Sequence, residues 1–427
     1  MKFLLVIGGP TASGKTNLAI ALAKHYNAEI ISADSRQFYR EMNIGTARPT
    51  AEELVAAKHH FIADRSVTQP LSAGQYAKEA TELLNAIYEK HDYAILVGGS
   101  GLFIRALCEG LDHFPIIPDS VKQKVQTLYE EKGLAGLQTA LQLQDPTYYA
   151  TVDQQNPVRL QRALEVGWAA GKPYSFYLGK KTEQRIFYPI YLQPSWSRAV
   201  LYDRINRRVD QMVATGLEEE ARALWPQQHL AALQTVGYQE WFAHFEGKMD
   251  WAETIAMIKQ NTRRYAKRQL TWNRRDGHWK LVPKGDLEGA LQYIQLILRE
   301  DLRLGNLEKT DGQIIAEKEN YFGVGLLDKH EQYKGSIQGV KLKEWAFIYS
   351  CELEDLSYHA AMILLHEALE RAERPVVYIQ AELNTTILHT KMGWKEVNER
   401  SSLPPKMKAA LKADVPVLKW ERKDFIA

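Results

Sequence analysis

Apolar residues in the first 110 positions occur in short runs that are separated by segments with helical periodicity. The runs FLLVIG (3–8), AEIISA (28–33) and YAILVGG (93–99) are typical of buried strands. Between the first two, TNLAIALAKHY (16–26) carries apolar residues at helical spacing. Strands that alternate with helices, without tight hairpin signals, predict an α/β fold with a parallel sheet and helices on both faces.

The pattern changes further along the chain. From 113 to 196 helical segments dominate and predict a helical insertion, although RIFYPIYLQP (185–194) has the composition of another sheet strand. The following residues, 197–302, are mostly helical and complete the core that begins with 1–112. We assign 303–319 to a linker because this stretch is polar and rich in charge.

Residues 320–427 carry apolar runs of their own, which predict a small accessory C-terminal domain of α/β or α+β type. Within it, PVVYIQAELNTTILHTKMGWKEV (375–397) loosely resembles the closing part of a GNAT acyltransferase. The glycine-rich loop that holds acetyl-CoA in that fold is not evident. A degenerate GNAT-like domain and another α/β module for RNA or protein binding therefore both stay open.

Composition narrows the class of protein. The chain has 427 residues, of which 45% are hydrophobic and 25% charged, as in ordinary soluble proteins. No apolar run reaches the roughly 18 residues that span a bilayer, and the first residues lack a signal-peptide cleavage site. With Cys108 and Cys351 as its two cysteines, the chain has no disulfide framework or cysteine-built metal site, so we expect a cytoplasmic protein. A net charge of +2 means that local basic patches would have to bind any nucleic acid.

A phosphate-binding motif follows the first predicted strand. It matches G-x-x-x-x-G-K-[ST] and consists of Gly9, Pro10, Thr11, Ala12, Ser13, Gly14, Lys15 and Thr16. Backbone N–H groups and the helix N-terminus would bind phosphate oxygens, Lys15 would neutralise charge, and Thr16 would reach a magnesium ion. The motif predicts a diphosphate or triphosphate ligand without identifying the molecule that carries it.

Two features distinguish this motif from that of an ordinary NTPase. The strand YAILVGG ends in Gly98, Gly99 and Ser100, where a Walker-B strand has a magnesium-binding aspartate. Asp34 instead ends the second strand, where a carboxylate beside a phosphate site could remove a proton from a substrate amine or hydroxyl. A helix cap or a loop carboxylate is the alternative reading of Asp34, with about equal weight.

A family resemblance rests on the motifs GPTASGKT, DSRQFYREMNIGTARPT, LSAGQYAKEA, VGGSGLFIRAL, NPVRLQRALEV, TVGYQEW and TRRYAKRQLTW. Over residues 3–300 the chain resembles the tRNA dimethylallyltransferase (IPP transferase) family. The resemblance implies a fold similar to P-loop nucleotide kinases, with an insertion that grips the anticodon stem-loop of tRNA. It also implies transfer of a dimethylallyl group from dimethylallyl diphosphate, with Mg²⁺, to the exocyclic amine of the adenosine 3′ of the anticodon.

The resemblance also implies roles for single residues. Asp34 resembles the general base, and Arg208 matches an arginine that we place on the diphosphate. Ser100 occupies a position that is commonly threonine and retains the hydroxyl. The extruded adenine would be surrounded by Ser35, Arg36 and Gln37, since an amine stacked inside an RNA loop cannot reach a buried electrophile.

Contacts to tRNA are implied at two places. In the insertion they are Lys122 and the segment Val158, Arg159, Leu160, Gln161 and Arg162, where Val158 replaces a common glutamine. Near the end of the core they are Arg264, Lys267 and Arg268, which are interleaved with aromatic residues. A solvated charged helix face is the alternative for each of these groups.

We therefore predict a monomeric tRNA-modifying prenyltransferase. A small-molecule kinase that uses ATP is the rival enzyme, and Asp34 and the missing Walker-B aspartate argue against it. A third alternative is an RNA-binding protein that has lost activity. The intact residues Lys15, Thr16, Asp34 and Ser100 argue against that interpretation.

Overall fold

Six strands between Phe3 and Pro283 form one parallel sheet in the order β3-β2-β4-β1-β5-β6. They are β1 (Phe3–Ile7), β2 (Glu29–Ser32), β3 (His59–His60), β4 (Tyr93–Val97), β5 (Tyr188–Ser195) and β6 (Lys280–Pro283). The computed structural model describes residues 2–179, 185–276, 279–300, 303–306, 321–328, 332–341, 345–352, 356, 358–372, 376–380, 395–396 and 417–421. The predicted parallel α/β sheet is confirmed. Because all six strands run the same way, their carboxyl ends meet at one edge.

Twelve α-helices lie between Lys15 and Glu300 in the described part of the chain. They are α1 (Lys15–Tyr26), α2 (Ala51–Ala56), α3 (Ala73–Tyr88), α4 (Gly101–Glu109), α5 (Asp119–Gln144), α6 (Pro146–Tyr149), α7 (Pro157–Ala170), α8 (Arg198–Ala214), α9 (Leu217–Leu224), α10 (Gln239–Phe245), α11 (Trp251–Asp276) and α12 (Leu287–Glu300). Short 3-10 helices lie at Tyr174–Tyr177 and Trp225–Gln227.

The sheet is buried by the apolar stripe of α1. Leu18, Ala19, Leu22 and Ala23 share one helix face and lie in the same hydrophobic cluster as strand residues such as Leu5. This periodicity was visible in the sequence, and it is what fixes the helix directly behind the phosphate-binding motif.

The chain divides into two compact units. One contains Met1–Ser72, Glu79–Ile104 and Phe187–Ala427, and the other contains Ala73–Lys78 and Arg105–Ile186. The predicted insertion boundaries at 113 and 196 differ from this division. The second boundary was too late because β5 pairs with β1 from Tyr188 onward and therefore belongs to the parallel sheet.

The smaller unit is helical and has its own core. Its helix α5 is interrupted at Gly133, whose φ of 59° and ψ of −156° are not helical. Helix α7 begins after Asn156, whose side chain accepts a hydrogen bond from the Arg159 amide, and ends at Gly171 in the left-handed region. The core contains Val125, Leu137, Leu141, Leu160, Ala163 and Leu164.

A second sheet lies in the C-terminal part of the chain. Its strands are β7 (Arg303–Asn306), β8 (Tyr321–Leu327), β9 (Tyr333–Lys341), β10 (Trp345–Glu352), β11 (Val376–Gln380), β12 (Lys395–Glu396) and β13 (Val417–Glu421), with the helix α13 (Tyr358–Ala372) between β10 and β11. The order is β12-β13-β11-β10-β9-β8-β7, and β10 and β11 are the parallel pair in an otherwise antiparallel arrangement.

The predicted linker therefore begins too early. Residues 303–306 are the edge strand β7, which pairs with β8 and places Leu304 in the hydrophobic core. The rest of the predicted linker lies outside the described residues. So does most of the GNAT-like segment, of which β11 and β12 are described, and the GNAT-like assignment stays a prediction.

Candidate active site

The phosphate-binding motif forms a loop between β1 and α1. Gly9 has a φ of 136° and Gly14 a φ of 89°, values that side chains disfavour, which explains the glycines at both positions. Gly14 directly precedes α1 and is its N-cap residue. The loop therefore presents backbone and a helix N-terminus to the same edge of the sheet, which is the arrangement that binds anions.

Side chains from distant parts of the chain hold this loop. Gln269 of α11 accepts a hydrogen bond from the Thr11 amide at 2.9 Å and donates to the Gly99 carbonyl at 2.9 Å. The indole of Trp196 donates to the Ser13 carbonyl at 2.8 Å, and Arg204 of α8 donates to the Ala12 carbonyl at 2.8 Å. Arg204 also lies over the Trp196 ring, 4.4 Å from its centroid. Sequence reasoning missed these supports.

Lys15 and Ser13 are the loop residues whose side chains could bind a phosphate group. Burial lowers the pKa of Lys15 to about 8, the nearby Asp34 carboxylate opposes this shift, and Arg208 adds to it. The Lys15 ammonium donates to the Pro10 carbonyl at 2.6 Å. The Ser13 hydroxyl is buried and has no hydrogen-bond partner among the described residues. Because burial disfavours the charged lysine, a phosphate group would stabilise it, and would also supply the acceptor that Ser13 lacks.

Asp34 lies in the loop that follows β2, next to the end of β4. Its Oδ1 accepts a hydrogen bond from the Arg36 amide at 3.1 Å. The Ser100 hydroxyl accepts from the Ser35 amide at 3.0 Å and lies 3.1 Å from the Ser35 hydroxyl. The predicted residues Asp34, Ser35 and Ser100 are therefore brought together, and these hydrogen bonds fix the loop that carries the acid.

The absence of an acid at the end of β4 has a steric reason. A Cβ atom on Gly98 would lie 2.3 Å from the Ala33 carbonyl oxygen, and one on Gly99 would lie 2.2 Å from the Gln269 amide nitrogen. At Gly98 the obstacle is backbone, so this position has no room for a side chain, whereas a side chain at Gly99 would displace the Gln269 amide that supports the phosphate loop. The close approach of β4 to the residue before Asp34 thus leaves Asp34 as the acid at this part of the sheet edge.

A cavity of about 1310 Å³ joins these elements. Lys15 and Thr16 line it from the phosphate loop, and Asp34 lines it from the acid loop. Burial lowers the pKa of Arg208, which also lines the cavity. Burial, followed by the Asp34 charge, raises the pKa of Tyr265 to about 12, so this cavity-lining tyrosine keeps its proton at neutral pH.

Gln37 and Arg36 anchor the rest of the acid loop. Gln37 donates to the carbonyls of Thr46 and Ala47 at 3.3 and 3.2 Å, and Arg208 donates to the Ala47 carbonyl at 3.4 Å. Arg36 donates to the Ala231 carbonyl at 3.2 Å. Gln37 therefore holds a backbone segment of the cavity wall, and Arg36 holds a more distant part of the chain.

Glu220 organises one of these wall segments and was not predicted. Its carboxylate accepts hydrogen bonds from the amides of Asn43, Ile44 and Gly45 and from the Tyr238 hydroxyl, at 2.7 to 3.0 Å. A Cβ atom on Gly45 would lie 2.6 Å from the Tyr238 ring. The motifs NIGT and TVGYQEW, which contain Gly45 and Tyr238, were visible in the sequence, but their contact with each other was not.

The described residues offer few side chains that could bind a metal ion. No cluster of three or more His, Cys, Asp or Glu side chains that could hold a metal occurs among the described residues. Thr16 is partly buried and faces the cavity. Mg²⁺ is commonly held by one or two protein ligands together with substrate phosphates and water, so Thr16 beside a phosphate loop fits such an ion.

The predicted RNA-binding residues of the smaller unit differ in exposure. Val158, Arg159 and Arg162 are exposed, and Gln161 hydrogen-bonds to Gln126 at 3.2 Å. Lys122 is exposed as well and pairs with Asp119 at 2.8 Å. Leu160 is a correction: its side chain is fully buried in the core of the unit and cannot face an RNA. The side chain of Leu160 faces the core, although Arg159 and Arg162 on either side of it are exposed.

The basic residues of α11 lie on an exposed face. Arg264, Lys267 and Arg268 are all exposed, whereas Ala266 and Gln269 on the opposite side are buried. Arg268 lies over the Tyr265 ring, 5.6 Å from its centroid. One helix therefore holds the phosphate loop with its buried side and presents cations on its other side.

The helices in the described part of the chain are all too short or too polar to span a membrane.

Comparison with known proteins agrees with this geometry. Residues 37–276 match the model of the IPP transferase family. A tRNA dimethylallyltransferase of Christiangramia forsetii is 50% identical over 64% of this chain and 91% of its own, and one of Flavobacterium johnsoniae is 47% identical over 66% and 93%.

Solved structures show the same similarity. A full-length tRNA isopentenylpyrophosphate transferase of Bacillus halodurans is 33% identical, with a TM-score of 0.52 over 70% of this chain and 96% of that one. A eukaryotic dimethylallyltransferase acting on tRNA shares the fold, with a TM-score of 0.60 at 23% identity over 70% of this chain and 80% of that one.

Proposed function

The chain belongs to the IPP transferase family, and we propose that it is a tRNA dimethylallyltransferase that uses dimethylallyl diphosphate. The allylic carbon of the donor forms a bond to the exocyclic nitrogen of the adenosine immediately 3′ of the anticodon. The bond from that carbon to the diphosphate oxygen breaks, and diphosphate leaves with the electron pair. The nitrogen gives up one proton in exchange for the dimethylallyl group.

One observation carries this proposal. The phosphate loop and the acid loop line the same cavity, and their charges interact, since Asp34 shifts the pKa of Lys15. A nucleotide kinase would need a metal-binding acid near the end of β4, and Gly98 has no space for one. The site therefore suits a leaving diphosphate on one side and proton removal on the other.

At the donor side, the loop amides, Lys15 and Arg208 bind the diphosphate. Their positive charges stabilise the negative charge that develops on the leaving oxygen. Thr16 would hold a magnesium ion with the phosphate oxygens, and the bound ion would neutralise further charge on the leaving group. The Ser13 hydroxyl, which has no hydrogen-bond partner among the described residues, would donate to a phosphate oxygen.

At the acceptor side, Asp34 accepts the proton of the adenine amine as the carbon–nitrogen bond forms. An exocyclic amine is a poor nucleophile until it can lose this proton, so a fixed carboxylate lowers the barrier. Ser100 positions the acid loop through Ser35. The adenine must leave its stack to reach this site, and we propose that Arg36 and Gln37 lie beside it.

We propose that exposed basic residues bind the tRNA backbone. They are Arg264, Lys267 and Arg268 on α11, and Lys122, Arg159 and Arg162 in the smaller unit. Such contacts depend strongly on salt, because each releases counterions from the RNA. With tRNA as the substrate, we expect the enzyme to act in the cytoplasm as a monomer.

Nucleoside analysis tests the proposed reaction. Unmodified tRNA is incubated with the enzyme, Mg²⁺ and either dimethylallyl diphosphate or ATP. The tRNA is then digested, and its nucleosides are separated by chromatography and identified by mass spectrometry. We expect one dimethylallylated adenosine per tRNA and one diphosphate released with the first donor, and neither with ATP. ATP consumption without modified nucleoside would overturn the proposal in favour of a kinase.

A further inference from the structure

The C-terminal part of the chain contacts the strands that support the phosphate loop. The matched relatives align with 64–70% of this chain, and the family model matches residues 37–276, which lie before this C-terminal part. From this C-terminal part, α13 packs against the parallel sheet, and its apolar residues share one hydrophobic cluster with β6 and α12. The cluster includes Ile363, Leu364, Val282 and Ile294.

Polar side chains of α13 bind the ends of two core strands. Glu367 is fully buried and accepts hydrogen bonds from the Lys280 ammonium at 3.2 Å and from the Leu281 amide at 2.9 Å. Arg371 donates to Glu367 at 2.7 Å and to the Trp279 carbonyl at 3.4 Å. One turn of the helix thus holds the start of β6 with a buried ion pair.

The neighbouring Glu370 binds the end of the other strand. Its Oε2 accepts a hydrogen bond from the Ser195 hydroxyl at 3.0 Å. Ser195 is the last residue of β5, and Trp196 directly follows it. Trp196 is the residue whose indole donates to the Ser13 carbonyl in the phosphate loop.

The start of β6 also touches the loop. The Trp279 ring lies so close to Gly8 that a Cβ atom there would be 2.3 Å from it. Gly8 directly precedes the first glycine of the phosphate-binding motif. Each of the two contacts made by α13 is therefore one residue away from an aromatic side chain that packs on or bonds to the loop.

We propose that α13 is a positioning element for the phosphate loop, acting through Glu370 to Ser195 and Trp196, and through Glu367 and Arg371 to Trp279. The buried Glu367 charge fixes β6 because any movement would break its ion pair and leave a buried charge unpaired. The C-terminal part would then set the affinity of the loop for its diphosphate. The inference rests on the loop's binding of diphosphate and does not require the transfer reaction.

A double-mutant cycle on the Ser195–Glu370 contact tests this. The full chain is prepared as Ser195→Ala, Glu370→Ala and the double variant, and the Kd for inorganic diphosphate is measured by calorimetry at neutral pH. We expect each single variant to weaken binding by about 2- to 30-fold, the range typical of residues that act through others. The double variant should bind no more weakly than either single variant, because one contact is lost in all three.

Controls separate positioning from stability. Asp328→Asn removes an ion pair with Lys334 elsewhere in the C-terminal sheet and should leave the Kd unchanged. Glu370→Gln retains an acceptor oxygen for the Ser195 hydroxyl and should restore most of the affinity. Should the single variants lower the melting temperature while the Kd stays at the wild-type value, or should their effects add in the double variant, the positioning role is overturned.

Discussion

The two loops that face each other across the cavity are stabilised in different ways. The phosphate loop is held from outside, by side chains of Gln269, Trp196 and Arg204 that bond to its backbone. The acid loop is held locally, by the bond of Asp34 to the Arg36 amide and by the neighbouring strand end at Ser100. The phosphate loop depends on elements about 180 to 260 residues away. The acid loop depends on its own residues and on Ser100, 65 residues away, with one long-range bond from Arg36 to the Ala231 carbonyl.

This difference corresponds to a difference in chemical task. Binding a diphosphate requires many weakly directional contacts, which backbone amides and two or three cations supply. Removing a proton requires one oxygen at a fixed place, and an error of about 1 Å can be costly. Binding strength and proton transfer should therefore respond to different substitutions, and variants in each loop test this separation.

The largest effect is expected for Asp34→Asn. The amide retains the size of the side chain and an oxygen that can accept from the Arg36 amide, but it cannot take the proton. Loss of a general base reduces turnover by about 10²–10⁴-fold. Single-turnover rates with tRNA and dimethylallyl diphosphate measure the change.

The diphosphate affinity of the same variant tests whether the two loops act independently. The variant leaves the hydrogen bonds of the phosphate loop intact. It removes a charge that favours the protonated Lys15 but that also repels the diphosphate, so at neutral pH the Kd for dimethylallyl diphosphate without tRNA should stay within about threefold of wild type. Turnover at the wild-type rate would contradict the assignment of Asp34 as the base. A large loss of diphosphate binding would contradict the independence of the loops.

The next largest effect is expected in the pH dependence of diphosphate binding, through Lys15. Burial lowers the pKa of this lysine to about 8 in the free protein, so above that pH it is mostly neutral. A bound anion favours the charged form and raises the pKa, so binding takes up a proton. The Kd for dimethylallyl diphosphate should therefore rise by up to about tenfold per pH unit above pH 8 and be nearly constant below it.

Lys15→Arg is the matched control. An arginine stays protonated across this range, so the rise in Kd above pH 8 should disappear even if the absolute affinity is lower. Calorimetry from about pH 7 to about pH 9.5 covers the expected change. A Kd that is independent of pH in the wild-type protein would show that Lys15 stays charged in the free loop.

The sequence allowed much of this to be predicted, for local reasons. The phosphate loop has a fixed spacing of glycines, lysine and threonine between a strand and a helix, and the parallel sheet follows from the alternation of elements. The family assignment made from these motifs is confirmed by the comparisons. Asp34 could be singled out because the end of a parallel strand lies at the same edge as the loop.

The supports could not be predicted, since they depend on contacts between residues far apart in the chain. Nothing in the sequence around Trp196 or Gln269 indicates that either bonds to a loop near residue 12. The family resemblance implies a tRNA contact at Leu160, but the helical turn directs this side chain into the core. Strand β7 was mistaken for a linker because four residues carry little periodicity.

The smallest effect is expected for Ser100, which contacts the acid loop without taking part in the proton transfer. Ser100→Ala removes the acceptor for the Ser35 amide and should slow single-turnover transfer by about fivefold, as expected for a loss of about 1 kcal/mol. Ser100→Thr keeps the hydroxyl and should stay near the wild-type rate. Diphosphate affinity should be unchanged in both, because Ser100 makes no contact with the phosphate loop in the described hydrogen bonds. If alanine and threonine slow transfer equally, the hydroxyl does not position the acid, and the acid loop must be held by the other bonds of Asp34, Arg36 and Gln37.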